Sequence, residues 1–215
     1  MEHQDQQSNK GEKGLFKGYR NPYLPTTEFG WEIDPQGFRA TIREMYSRYR
    51  LPMLVTENGL GAYDTLTEDG RVHDKYRIKY YQDHIEQVQL AITDGCEMLG
   101  YNPWSAVDLI STHEGMVKRY GFIYVDREEF DLKTLDRYRK DSFYWYKRVI
   151  ATRGMDLSDL KEEEITTGND GTEMCSSGAD VAVEMCSPES LHNIQEENRY
   201  GIICILLTLQ KHYIC

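Results

Sequence analysis

The sequence predicts an α/β fold in which helices alternate with short buried strands. Two apolar runs, at 53–55 and 96–101, are too short for helices and are bounded by turn residues. Such runs are typical of strands buried on both faces of a parallel sheet. Between them, residues 78–92 repeat apolar side chains at the spacing of an amphipathic helix. The order helix, strand, helix, strand favours a parallel sheet covered by helices.

The first predicted helix begins at Asp34-Pro35. An Asp can cap the free amides of a helix, and Pro fits the first helical position. Apolar residues between Phe38 and Tyr49 continue at helical spacing, so this helix is expected to lead directly into the strand at 53–55. Residues 1–14 are polar and lack any period, and we expect them to be disordered.

The strand at 53–55 runs into Thr56-Glu57-Asn58-Gly59. A carboxylate at the carboxyl end of a buried parallel strand lies where α/β barrels hold their catalytic groups, so Glu57 is a candidate catalytic residue. The alternative is an ordinary strand exit with a solvated Glu57. The loop 60–72 is expected to overhang a cleft, Asp74 to cap the next helix and Gly95 to end it.

The second half of the chain predicts fewer elements. Residues 121–126 favour an extended segment, and 142–154 carry aromatic and branched residues typical of a final helix. Residues 158–215 are charged and then rich in small polar residues, so we expect an unrelated, disordered tail. The apolar run at 201–209 is too short to cross a bilayer, and we expect it to pack on another surface or to be prone to aggregation.

Composition excludes several classes of partner. A chain of 215 residues can form one domain with a real core. A net charge of −11 argues against nucleic acid, because phosphate backbones require a basic face. No window is long and apolar enough to span a membrane and the start does not resemble a signal peptide. We therefore expect no membrane partner and a cytoplasmic location.

Cysteine and histidine patterns predict neither a metal site nor a cofactor. Cys96 is expected to be a small buried residue. The spacings of the four tail cysteines match no zinc module and no compact disulfide framework, so they are interpreted as free thiols: Cys175, Cys186, Cys204 and Cys215. His113 beside Glu114 lacks further ligands at metal-binding spacing. No glycine-rich phosphate loop is present.

Several short motifs, taken in order, resemble the family 1 glycoside hydrolases. Besides Thr56-Glu57-Asn58-Gly59 these are Asn21-Pro-Tyr-Leu24, Gly30-Trp-Glu-Ile-Asp-Pro35, Tyr101-Asn-Pro-Trp-Ser105 and Lys118-Arg-Tyr-Gly121. The resemblance covers residues 15–157 and implies the C-terminal part of a (β/α)8 TIM barrel, with its last two strands and their helices. A whole barrel usually needs about 250 residues.

The resemblance implies that Glu57 is the nucleophile of a retaining glycosidase, which uses two carboxylates. In this family the partner acid lies in an Asn-Glu motif, and this sequence contains no Asn-Glu dipeptide. The chain alone is therefore expected to be inactive, and the unrelated tail suggests a fragment or a shifted reading frame. A non-catalytic remnant that at most binds sugar phosphate is the alternative.

A second resemblance concerns the substrate. Ser111 stands where ordinary β-glucosidases of the family have a Glu, and with Lys118 and Tyr120 it resembles the phosphate site of the 6-phospho-β-glycosidases. Two hydroxyl donors and a cation suit a phosphate dianion, whereas a Glu would repel it. The implied substrate is a phosphorylated disaccharide or aryl β-glucoside.

Two further positions refine this expectation. Thr112 stands where galactoside-specific members tend to have a Trp, which favours a 6-phospho-β-glucosidase, with a 6-phospho-β-galactosidase as the alternative. Trp104 matches the Trp of the glycone subsite, although core packing is also compatible with it. Trp31 can line the cleft or pack, and its role is left open. The sequence gives no indication of the oligomeric state.

Overall fold

The computed structural model describes residues 21–167, which form four helices and four strands. In chain order these are α1 (Pro35–Tyr49), β1 (Met53–Asn58), α2 (Lys75–Thr93), β2 (Met98–Pro103), β3 (Ile123–Val125), β4 (Arg137–Arg139), α3 (Asp141–Ala151) and α4 (Glu162–Thr167). The predictions of a disordered start, of four free tail thiols and of a packing run at 201–209 lie outside the described residues.

Helix α1 begins as its capping sequence predicts. The amide of Gly37 donates to Asp34 Oδ1 at 2.8 Å, and Pro35 is the first helical residue. The helix ends at Arg50, whose φ of 51° is left-handed and whose amide donates to the carbonyl of Tyr46. This abrupt end turns the chain into β1 within a few residues.

Strands β1 and β2 form a parallel pair, as the apolar runs predict. Met53 is opposite Met98 and Asn58 is opposite Pro103, with helix α2 as the crossover. Helix α2 ends next to Gly95, whose positive φ of 94° suits glycine. The predicted α/β organisation, with helices between parallel strands, is confirmed.

One side of the strand pair is covered by α1 and α2. A cluster formed by Ile42, Val88, Ala91 and Cys96 is buried between these helices. Met53 and Met98 from the strands pack against the same cluster. Cys96 is 6% exposed and is a free thiol, as predicted. Burial of these apolar side chains fixes the helix layer on the strands.

The second half forms a separate layer around α3. Strands β3 and β4 pair antiparallel, with Tyr124 opposite Tyr138, and lead directly into α3. Phe122 and Trp145 are completely buried in the core that α3 shares with α2, and the rings of Phe122 and Tyr146 stack with centroids 4.9 Å apart. The predicted extended segment and final helix are both present, with α3 at 141–151.

The start of the predicted tail is folded. Disorder was expected from residue 158, but α4 packs beneath α3 and Ile165 is 6% exposed. The Trp145 indole donates to the carbonyl of Ser158 at 2.9 Å, and Arg148 pairs with Glu164 at 2.6 Å. These polar contacts hold residues 158–167 against α3. The segment has no apolar periodicity, so nothing in its sequence indicated that it would be folded.

Candidate active site

Glu57 lies at the carboxyl end of β1, as predicted, and is exposed. Its neighbour Asn58 faces the helix layer, because the Asn58 side chain is hydrogen-bonded to Tyr80 of α2 and to Tyr101 of β2. The pairing of β1 with β2 is irregular between Val55 and Asn58, and both Thr56 and Glu57 are exposed there. Glu57 is thus accessible at the end of the strand pair.

Trp104 follows β2 and is tied to the strand that carries Glu57. Its amide donates to the carbonyl of Asn58 at 2.7 Å, and its own carbonyl accepts from the Tyr81 hydroxyl at 3.1 Å. The peptide bond between Trp104 and Ser105 is cis. Trp104 is half-buried, which is compatible both with a subsite role and with packing.

Ser111 and Tyr120 form a buried hydroxyl pair. The Tyr120 hydroxyl donates to Ser111 Oγ at 3.1 Å, and both residues are 8% exposed. Ser111 starts a tight turn in which its amide and carbonyl bond reciprocally with Gly115. The turn brings the two hydroxyls together although they are nine residues apart.

Lys118 completes the predicted trio. Lys118 is 3% exposed. Its Nζ lies 3.9 Å from the ring centroid of Trp31 and 4.8 Å from that of Phe29. The same ammonium is 5.6 Å from the Tyr120 ring. Within residues 21–167 Lys118 makes no ion pair with a carboxylate. The ammonium is held by aromatic faces, which attract a cation without neutralising it.

Backbone hydrogen bonds connect the end of β1 to the turn that carries Lys118 and Tyr120. Ala62 and Arg119 exchange two hydrogen bonds of 3.0 Å. The Ser105 amide donates to the Tyr120 carbonyl at 3.1 Å. Lys118 and Tyr120 are therefore tied to the rim formed by the loops that follow the two parallel strands.

Behind this rim is a buried network of charges that the sequence analysis did not predict. The Arg77 guanidinium binds Asp64 and Asp74, each at 2.8 Å, and also donates to the carbonyls of Leu60 and Tyr120. Asp74 also accepts from Ser142. Asp74 is the N-cap residue of α2, but its side chain makes no capping bond, so that prediction was wrong.

The network extends to the second half of the chain through Lys140. Its ammonium binds Asp64 and Asp108, the latter at 2.7 Å, and is completely buried. Asp108 also pairs with Arg119 at 3.0 Å. Three cations and three carboxylates thus hold together the loop after β1, the start of α2, the turn carrying the trio and the start of α3.

The two carboxylates that bind Arg77 have pKa values shifted in opposite directions. Burial alone would raise the pKa of Asp64, but the charges of Arg77 and Lys140 outweigh it and hold that pKa below its usual value. Burial raises the pKa of Asp74 above its usual value despite the opposing charge of Arg77. Burial would lower the pKa of Arg77, yet Asp64 and Asp74 raise it, so the guanidinium stays charged.

The remaining histidine candidate, His113, lies in the same turn as Ser111. His113 is exposed, and its Nδ1 is 3.0 Å from the Thr112 hydroxyl. In the described part of the chain no three His, Cys, Asp or Glu residues are grouped so that they could hold a metal ion. Nor is any helix between residues 21 and 167 long and apolar enough to cross a membrane.

Comparison with known proteins assigns most of the chain. The model of glycosyl hydrolase family 1 matches residues 1–155. The aryl-phospho-β-D-glucosidase BglA of Bacillus subtilis is 50% identical over 146 residues, which cover 67% of this chain and 30% of the relative. The 6-phospho-β-glucosidase of Clostridium longisporum is 49% identical over 158 residues, which cover 71% of this chain and 33% of the relative.

A solved structure has the same local fold. The family 1 β-glucosidase from Thermotoga maritima superposes with a TM-score of 0.60 and 38% identity, over 65% of this chain and 31% of that one. The chain thus spans about a third of the length of the curated relatives it matches.

Proposed function

The chain belongs to glycosyl hydrolase family 1, and on that basis we propose that it holds the nucleophile and the phosphate-binding residues of a retaining glycosidase acting on 6-phospho-β-D-glucosides. The observation that carries the substrate assignment is the ammonium of Lys118, which has aromatic neighbours and no carboxylate among the described residues. One of those neighbours is the ring of Tyr120, whose hydroxyl is bonded to Ser111. A cation left unneutralised in this way is suited to an anionic ligand.

In the proposed reaction Glu57 attacks the anomeric carbon and forms a covalent glycosyl-enzyme. A general acid first protonates the leaving oxygen and then, as a base, activates water; the two carboxyl groups of such enzymes are about 5–5.5 Å apart. The chain has no Asn-Glu dipeptide, so this partner must come from outside these residues. We infer that β1 and β2 are neighbouring strands of a (β/α)8 barrel that a further polypeptide segment completes.

The phosphate on C6 of the sugar is the feature that the trio would recognise. In the site as it stands the Tyr120 hydroxyl donates to Ser111, so the Ser111 hydroxyl is the free donor; a bound phosphate would take over the Tyr120 donor as well, while Lys118 supplies a charge for the dianion. A glucoside without a phosphate has no anion to pair with the Lys118 ammonium, so this lysine adds nothing to its binding affinity. The names of the two similar glycosidases, both of phosphorylated β-glucosides, support the same substrate class.

Two alternatives stay open, and both are testable. Thr112 is small and exposed, which favours the gluco-epimer over a 6-phospho-β-galactosidase. A remnant that binds sugar phosphate without catalysis is compatible with the missing acid. Substrates phosphorylated during uptake would occur in the bacterial cytoplasm, which is the location we propose.

The proposal is tested by measuring the affinity of the full chain for glucose 6-phosphate and for glucose by calorimetry. Lys118→Ala should weaken glucose 6-phosphate binding by about tenfold or more, because a hydrogen bond to a charged group contributes about 1.5–3 kcal/mol. Glucose binding should not change. Lys147→Ala, at an exposed lysine of α3, is the matched control. Equal affinities for both sugars in all three proteins would refute the assignment, and tighter binding of galactose 6-phosphate would favour the other epimer.

A further inference from the structure

The side-chain stem of Lys118 lies against the backbone of Gly61, in the loop that follows β1. A Cβ atom built on Gly61 would be 2.5 Å from both Cγ and Cε of Lys118 and 3.0 Å from its Cδ. Non-bonded carbon atoms prefer separations of about 3.5–4.0 Å. The space that the lysine stem occupies therefore exists because residue 61 has no side chain.

The backbone on both sides of Gly61 is fixed. The carbonyl of Leu60 accepts from the Arg77 guanidinium at 3.0 Å. Ala62 exchanges two hydrogen bonds of 3.0 Å with Arg119, the residue after Lys118. An added side chain at residue 61 could not be relieved by backbone movement without breaking these bonds, so the flexible lysine stem would move instead.

Gly61 is not required here by its own conformation. It is absent from the glycines with a positive φ, so alanine can adopt its backbone geometry without strain. The single obstacle to a methyl group at this position, among the atoms nearest to it, is the stem of Lys118. Gly95 is the opposite case: its positive φ of 94° favours glycine, but an added Cβ there would meet open space.

We propose that Gly61 is a positioning residue for phosphate recognition. Its missing side chain lets Lys118 lie flat on the loop and brings the ammonium under Trp31 and beside the Tyr120 ring. The inference rests on the proposed phosphate-binding role of Lys118. It makes the loop after the nucleophile strand part of the substrate-recognition apparatus, since a change at Gly61 moves a charge on a different loop.

The first test needs no ligand. In the full chain, NMR should show the Lys118 Hε protons shifted upfield by the rings of Phe29 and Trp31. Gly61→Ala should abolish this shift. Gly95→Ala, which introduces backbone strain far from Lys118, should retain it. An unchanged Lys118 signal in Gly61→Ala overturns the inference, whatever the protein binds.

The second test measures glucose 6-phosphate affinity by calorimetry. Gly61→Ala should weaken binding by about five- to tenfold, because the charge-assisted contact is displaced and not deleted. In a Lys118→Ala background the same substitution should change the affinity by less than about twofold, since the group on which it acts is gone. Equal losses in both backgrounds, or no loss in the wild-type background, overturn the inference. Should Lys118→Ala itself have no effect, the proposed function fails while the NMR test still decides on Gly61.

A third variant covers the case in which Gly61→Ala does not fold. Removing the stem restores the space, so Gly61→Ala combined with Lys118→Ala should melt at the same temperature as Lys118→Ala alone. If the double variant stays unfolded, the added methyl group clashes with something other than the lysine, and the inference is wrong.

Discussion

Two lysines are buried within residues 21–167, and their surroundings are opposite. Lys140 is completely buried between the carboxylates of Asp64 and Asp108. Lys118 is 3% exposed, but its ammonium meets the aromatic rings of Trp31 and Phe29 and no carboxylate among residues 21–167. In the described part of the chain, carboxylates neutralise the Lys140 ammonium and none neutralises that of Lys118.

On this difference we propose that Lys140 is a structural charge and Lys118 a functional one. Burying a cation lowers stability unless a carboxylate pairs with it, and Lys140 has two such partners. Cation–π contacts stabilise Lys118 by about 0.5–2 kcal/mol without neutralising its charge. An ammonium without a carboxylate partner among residues 21–167 can pair with an external anion, and this is why we propose phosphate binding for Lys118 and not for Lys140.

The largest expected effect is on stability. Lys140→Met removes the cation from two buried carboxylates and should lower the free energy of unfolding by about 3–5 kcal/mol, the cost of breaking a buried pair by deleting one partner. Urea denaturation followed by circular dichroism measures the change. Lys147→Met, an exposed lysine of the same helix region, should leave the midpoint unchanged. A loss as small as that of the control would show that the network is not structural.

Lys118→Met, measured by the same urea denaturation, tests whether the two buried lysines differ in their contribution to stability. The substitution loses the cation–π contacts but also removes an unneutralised buried charge, and the two effects oppose each other. We expect the free energy of unfolding to change by less than about 1 kcal/mol. If Lys118→Met destabilises the chain as much as Lys140→Met, both lysines are structural and the distinction collapses.

The smallest expected effect is a pH dependence of the helix layer. His84 of α2 stacks on Tyr80 with centroids 4.0 Å apart, and burial lowers its pKa below the usual 6.5. The unfolded chain then binds the proton more readily, so stability should fall as the pH drops from 6.5 through the folded-state pKa. The loss cannot exceed about 1.4 kcal/mol per pH unit. In His84→Gln this contribution to the slope should vanish; an unchanged urea midpoint profile would contradict the assignment.

The elements that sequence predicted well have local causes. Helix α1 is specified by Asp34-Pro35 at its start, and the parallel strands by short apolar runs between helices. The trio at Ser111, Lys118 and Tyr120 lies within ten residues of sequence, and its resemblance to a phosphate site is carried by the residue types. The structure shows the Ser111–Tyr120 hydrogen bond and the Lys118 ammonium near the Tyr120 ring, while phosphate binding by the trio stays a prediction.

What the sequence could not predict depends on contacts between distant residues. Lys140 and Asp64 are 76 residues apart, and no period relates them. The one local sign of the network was the spacing of Asp74 and Arg77, three residues apart at the start of a helix. Strand β4 consists of Arg137, Tyr138 and Arg139, without the apolar alternation that indicates a strand.

The most direct test of phosphate recognition reverses the charge preference of the site. Ser111→Glu places a carboxylate where we expect the phosphate, and calorimetry on the full chain compares glucose 6-phosphate with glucose. Gln36→Glu, on the exposed face of α1, adds the same net charge away from the site as the control. We predict that Ser111→Glu weakens glucose 6-phosphate binding by at least about tenfold while glucose binding is kept. An unchanged ratio of the two affinities would contradict the account.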